Sequence, residues 1–426
     1  MKTIELKGLG EVIYTDVCDN GLKIYIWVNK KANSFKGALA FGCGSEDVKF
    51  SIQNKEYQVP CGTAHYLEHI MCKEEDGTSL LSRFQALGSF SNAATYPDKT
   101  VYEFVGADNL EANINLLLDA IQTKTFNENA FETERGPIIE EARIGKDNPS
   151  KIAFYKMNEC LFHNYPNRTS GTGSEEDIEK ITLEDLKCFY NAFYIPMNAS
   201  ICITGNVEPL EIIRIIKENQ KKKNFPPKPL AKHYQYKEPK DVVKKKEEIT
   251  LNVEIPKVYI SLKIPKTAFG RKNIISIQDQ IMVTLLANFG NTSLFKEELL
   301  DKKLLASLTT QIYPERNYLI LQVVARTKYP DELIPILQER INHLEINEKD
   351  IKRKIKSEIA TMIMNYEDIE NVNDLIIYLL YQYGKIIDNE KEILEKITIS
   401  KIKETVKDIG KYPMSILIVN PKKVIE

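Results

Sequence analysis

Residues 221–247 interrupt an otherwise periodic chain of 426 residues, and this break constrains the fold most. Lys221-Lys-Lys-Asn-Phe-Pro-Pro-Lys-Pro229 and Lys244-Lys-Lys246 are polar, charged and rich in proline, the composition of a linker. About 200 residues stand on either side, a size at which one hydrophobic core closes. Two domains are therefore expected, 1–220 and 248–426, joined by 221–247. A faint internal echo supports this. Tyr194-Ile-Pro-Met-Asn-Ala-Ser-Ile-Cys-Ile-Thr-Gly-Asn206 resembles Tyr412-Pro-Met-Ser-Ile-Leu-Ile-Val-Asn420, as if each half ended on the same strand. The expected fold class is α+β, with two homologous domains, each a mainly antiparallel β-sheet flanked by helices.

Period-two alternation marks Leu22–Val28 as a strand, and Gly37–Gly42 reads as a second in the first half, with Val258–Ile264 and Tyr318–Ala325 in the second. Helical spacing covers about 60–75, 79–87, 109–122, 127–146, 151–163, 183–193 and 208–220. It returns at about 274–289, 331–345, 348–365 and 368–383. Phe90 to Val105 reads as extended.

His65-Tyr-Leu-Glu68-His69 lies inside the helical stretch 60–75. At about 3.6 residues per turn, positions i, i+3 and i+4 share a face. Two imidazoles one turn apart can grip one Zn²⁺, and the carboxylate beside them can take a proton from water on the metal. The order is H-x-x-E-H, the inverse of H-E-x-x-H. A catalytic zinc takes three protein ligands plus water, so a third ligand must come from elsewhere. Glu132-Thr-Glu-Arg-Gly-Pro-Ile-Ile-Glu-Glu141 is the candidate segment, with Pro137 expected to disturb its helix. Cys72 follows His69 by three residues but is expected to be a packed thiol. His163, His233 and His343 stand alone, without ligand spacing.

Here the chain resembles the insulinase (pitrilysin) family of inverted-motif zinc peptidases, most of all its small bacterial two-domain members and mitochondrial-processing-peptidase-like subunits. That resemblance implies a third ligand about 70–77 residues past the motif, in a pattern close to E-x-x-x-I-x-E-E. It lands on Glu141, with Glu140 ranked second, and gives Glu134 a supporting place behind the ligands. Gly88-Ser-Phe-Ser-Asn-Ala-Ala-Thr-Tyr-Pro-Asp-Lys-Thr-Val-Tyr102 looks like the family's G-x-x-N-A-x-T-x-x-D-x-T-x-Y strand pair. Its edge near Asn92 and Ala93 would bind the substrate backbone. Gly173–Leu186 and Phe193–Asn198 match the family's spacing as well.

The implied activity is zinc-dependent endopeptidase action on unfolded peptides or peptide precursors, with Glu68 as general base. Family enzymes of this size work as homodimers, or as heterodimers with a related, inactive subunit, around a chamber. An arginine and a tyrosine from a C-terminal half complete the opposite site in many members, and Arg316 and Tyr318 stand near a predicted strand. The competing reading is a catalytically silent scaffold or peptide-binding subunit of a heterodimeric peptidase.

Composition excludes other classes. With 58 basic and 60 acidic residues there is no basic field for nucleic acid. No apolar run approaches the roughly 18 residues of a membrane span. The first residues lack the apolar core of a signal peptide. Seven cysteines, an odd number with no C-x-x-C pair, are read as free thiols, and a cytoplasmic location is expected.

Overall fold

The computed structural model describes residues 1–73, 78–225 and 228–422. Fifteen strands are assigned among them. The first nine are β1 (Lys2–Leu6), β2 (Glu11–Val17), β3 (Lys23–Val28), β4 (Phe35–Phe41), β5 (Lys49–Ile52), β6 (Lys55–Gln58), β7 (Ser89–Thr95), β8 (Thr100–Gly106) and β9 (Ala199–Gly205). The rest are β10 (Lys232–His233), β11 (Lys246–Leu251), β12 (Lys257–Pro265), β13 (Ser307–Glu315), β14 (Tyr318–Arg326) and β15 (Met414–Pro421). The α+β expectation holds.

The two main sheets show the duplication directly. One has the order β1-β2-β3-β9-β4-β8-β7 and the other β11-β15-β12-β14-β13. The last five strands of the first sheet match the second one for one. In each, the closing strand lies inside the sheet, parallel to one neighbour and antiparallel to the other: β9 between β3 and β4, β15 between β11 and β12. All other pairings are antiparallel, so the echo of Tyr194–Asn206 in Tyr412–Asn420 marks equivalent central strands. The N-terminal hairpin β1–β2 extends only the first sheet. Its short, half-exposed strands carry little periodic signal.

The chain forms two compact units that are not linear segments. One contains residues 1–145, 169–235 and 363–389; the other contains 146–168, 236–362 and 390–426. A division into 1–220 and 248–426 leaves out β10 and the start of β11 and places two helices with the wrong sheet. Pro149–Leu161 packs on β15, β12 and β11, and Ile369–Tyr383 packs on β9, β4 and β3. Each half thus gives a helix to the sheet of the other. Apolar faces drive both choices. Ala153, Met157, Cys160 and Leu161 join a core with Ile320, Leu417 and Val419, while Val372, Ile376 and Ile377 are buried on the second helix. Buried Asn373 reinforces the latter by donating to the Cys202 carbonyl at 3.2 Å.

The 221–247 segment also holds more structure than its composition suggests. The preceding helix, Pro209–Lys221, reaches into it. β10 pairs with β5, and Lys246 opens β11 alongside β15. Pro226 and Pro227 lie outside the described residues.

Candidate metal centre

The motif helix spans Thr63–Met71 and buries Tyr66, Leu67, Ile70 and Met71. Gly62 precedes it at φ 88°, where a Cβ would meet the Thr172 carbonyl oxygen at 2.3 Å. A side chain there would be strained and would block the approach of that loop. With the apolar side turned into the core, His65 and His69 emerge together, their ring centroids 4.7 Å apart.

The opposing wall is the helix Glu128–Asp147, which runs unbroken through Pro137. Phe131, Ile138 and Ala142 bury its apolar face. Phe131 stacks on Tyr66 at 4.9 Å between centroids, and the Tyr66 hydroxyl donates to the Phe131 carbonyl. That contact sets one helix against the other. Because the helix does not break at Pro137, Glu134 and Glu141, two turns apart, stay on one face.

Glu141 bridges the two imidazoles. Its Oε1 lies 3.5 Å from His65 Nε2 and its Oε2 3.3 Å from His69 Nε2. Glu140 points elsewhere, toward Arg143 at 3.5 Å, and is 62% exposed. Behind the pair, Glu134 Oε2 lies 3.4 Å from His69 Nδ1, and Lys73 Nζ holds its other oxygen at 2.8 Å. The Lys73 contact had no signal in the sequence.

These separations fit a zinc ion. Ligand atoms about 2.1 Å from a tetrahedral zinc lie roughly 3.4 Å from one another. His65, His69 and Glu141 form the group of potential ligands whose atoms all lie within 4.8 Å of each other among the described residues. A carboxylate on the far ring nitrogen, as Glu134 is on His69, can fix the orientation of an imidazole that holds a metal. Cys72 is not part of the group. Burial pushes its thiol up to about 12, so it stays protonated and packs as an apolar side chain.

Electrostatics shift the two carboxyl groups in opposite directions. Hydrogen bonds to His65 and His69 hold the Glu141 carboxyl well below the usual range, the state a ligand needs. Burial works against a charged His69, but Glu141, Glu68 and Glu134 together raise its pKa. Glu68 is 8% exposed, and desolvation lifts its pKa despite the two imidazoles that oppose the shift. A raised carboxylate pKa suits a group that must take up and then return a proton.

Asn92 and Ala93 lie on β7, which among the described residues pairs with β8 alone and forms an open edge of its sheet. The motif helix packs against this strand. Ser89–Thr95 contains no charged residue and no proline, the usual guards of an exposed edge. The equivalent edge strand of the second sheet, β13, ends in Pro314 and Glu315. Edge status is set by strand order and could not be read from local sequence.

Arg316 and Tyr318 make separate contacts. Tyr318 is 4% exposed and its hydroxyl donates to the Glu238 and Pro239 carbonyls at 3.0 and 3.1 Å. Arg316 lies over the rings of Tyr165 and Tyr236. All seven cysteines are free, and no helix among the described residues is long and apolar enough to cross a membrane.

Comparison with known proteins agrees with this geometry. Residues 51–173 match the family described as insulinase (peptidase family M16), and residues 180–357 match the peptidase M16 inactive domain. The chain is 29% identical over 414 residues to YmfH of Bacillus subtilis, named an uncharacterized zinc protease, with 96% of each chain covered. It is 26% identical to the zinc protease PqqE of Helicobacter pylori, covering 79% of this chain and 78% of that one. Among solved structures, an M16-like peptidase from Alicyclobacillus acidocaldarius superposes with a TM-score of 0.89 at 24% identity, over 97% of this chain and 99% of that one.

Proposed function

This chain belongs to the insulinase family, peptidase family M16, as a member of the small two-domain type, and from that premise we propose that it is a zinc-dependent endopeptidase acting on unfolded peptides or peptide precursors. The cofactor is zinc. The observation that carries the proposal is the convergence of His65, His69 and Glu141 beside a buried Glu68 on one helix face.

In this reading His65, His69 and Glu141 hold the ion, and Glu134 fixes the His69 ring. Bound zinc supplies Lewis acidity toward water and the scissile carbonyl. Glu68 accepts the proton of the attacking water and returns it to the leaving amine. The substrate backbone pairs with the free edge of β7 at Asn92 and Ala93. That orients an extended peptide and excludes folded proteins.

The buried Tyr318 favours a partner-dependent form of this activity. If a second chain supplies an arginine and a tyrosine to a shared chamber, the isolated chain works weakly and recovers when the partner is added. Full activity as a purified homodimer counts against that form. The free thiols support a reducing, cytoplasmic setting.

The test joins elemental analysis to cleavage of a peptide library by wild type and Glu68→Gln. Near-stoichiometric zinc in both, with cleavage abolished in the variant, is expected. Bound zinc without cleavage, alone or with a partner, would leave the scaffold reading in its place.

A further inference from the structure

The hairpin of β7 and β8 contributes more than an edge to the site. Thr95, the last residue of β7, donates its hydroxyl to Glu68 Oε2 at 3.2 Å. Thr100, its pairing partner across the hairpin, donates to the Cys43 carbonyl at 3.0 Å. Tyr102 shares a hydrogen bond of 2.8 Å with the Tyr194 hydroxyl, and both side chains are buried. Two hydrogen-bonded anchors therefore fix β8, and β8 fixes Thr95.

Glu68 needs such a fixture. The metal-binding geometry holds His65, His69 and Glu141, but Glu68 is not a ligand. As the residue before His69 it projects about 100° away from that imidazole around the helix. Its side chain has several rotatable bonds, and a free carboxylate would spread over several rotamers. Among the described residues, Thr95 is the side chain that hydrogen-bonds it. One fixed oxygen places the other for proton transfer.

We infer that Thr95 is the positioning residue of Glu68: its hydroxyl holds one carboxylate oxygen so that the other faces the reacting water. The inference rests on the peptidase reading above and assigns Thr95 no contact with substrate or metal.

The experiment compares zinc-loaded, full-length wild type with Thr95→Val and Thr95→Ser. Valine keeps the branched shape suited to a strand and removes the donor. Zinc content and KM are expected to stay at wild-type values in both variants. The kcat of Thr95→Val is expected to fall about tenfold or more, the scale of one hydrogen bond to an ionised group, and Thr95→Ser to regain most of it. A crystal structure of Thr95→Val should show the Glu68 carboxylate displaced. A purely structural Thr95 would instead lower the thermal midpoint and zinc content. An unchanged kcat, or an unmoved Glu68, overturns the assignment. If the wild type cleaves no peptide, the peptidase reading falls, and the position of Glu68 in wild-type and Thr95→Val crystals still decides the role of Thr95.

Discussion

Asp279→Asn should stabilise the second unit at neutral pH and not at acid pH. Asp279 lies on the helix Ile274–Phe289, and its Oδ2 is sealed from solvent with no hydrogen-bond partner. Burial first, then the neighbouring carboxylates Glu390 and Glu358, push its pKa from 3.8 to about 8. The sign follows from linkage. Below pH 3.8 the group is protonated in both folded and unfolded chains and costs nothing. As pH rises from 3.8 toward 8, the unfolded chain gains by ionising while the folded chain does not. Stability then falls by about 1.4 kcal/mol per pH unit. Above 8 both states are ionised and the loss is complete. At pH 7 the deficit reaches at most about 4 kcal/mol. Asparagine, neutral throughout, escapes it. Urea unfolding of the two proteins at pH 4, 7 and 9, followed by circular dichroism, measures the gap. The gap should be near zero at pH 4 and widen through pH 7 to pH 9. A gap of constant size across this range would refute the reasoning, because a packing or hydrogen-bond effect of the substitution does not titrate.

Two further outcomes follow from named contacts. Lys263 is fully buried and its Nζ meets Glu238 at 2.6 Å, with the Leu161 and Pro239 carbonyls at 2.9 and 2.8 Å. Lys263→Met should destabilise by about 3–5 kcal/mol by leaving Glu238 buried without its cation. Lys263→Met with Glu238→Gln should recover part of that in urea titrations, and no recovery would show that the ion pair is not the cause. Glu134→Gln keeps the size of the side chain but weakens its hold on His69 Nδ1, so zinc affinity by chelator competition should fall about 10- to 100-fold. An unchanged affinity would remove Glu134 from the support of the site.

The sequence determined what local geometry can fix. The interval from His65 to His69 is one helical turn, so a helix there must present both imidazoles and Glu68 toward one side. No distant residue is needed for that. Period-two runs likewise marked the inner strands, and the echo between Tyr194–Asn206 and Tyr412–Asn420 was enough to reveal two copies of one sheet. Short half-exposed strands such as β1, β2, β5 and β6 escaped because neither face is fully buried and alternation is weak.

The tertiary structure decided everything that depends on which surfaces meet. Glu140 and Glu141 are chemically the same and adjacent. The packing of Phe131 on Tyr66 rotates the helix so that Glu141 faces the histidines and Glu140 faces Arg143. The helices Pro149–Leu161 and Ile369–Tyr383 have apolar faces that any sheet could bury. Each one packs on the sheet formed by the other half of the chain. β7 is an edge only because β8 and β4 occupy the places inside it. Helical and strand periods are properties of a few neighbouring residues. The choice of partner is a property of the whole packed chain, and the carboxylate that meets the two histidines, the open edge of β7 and the hydroxyl on Glu68 all depend on that choice.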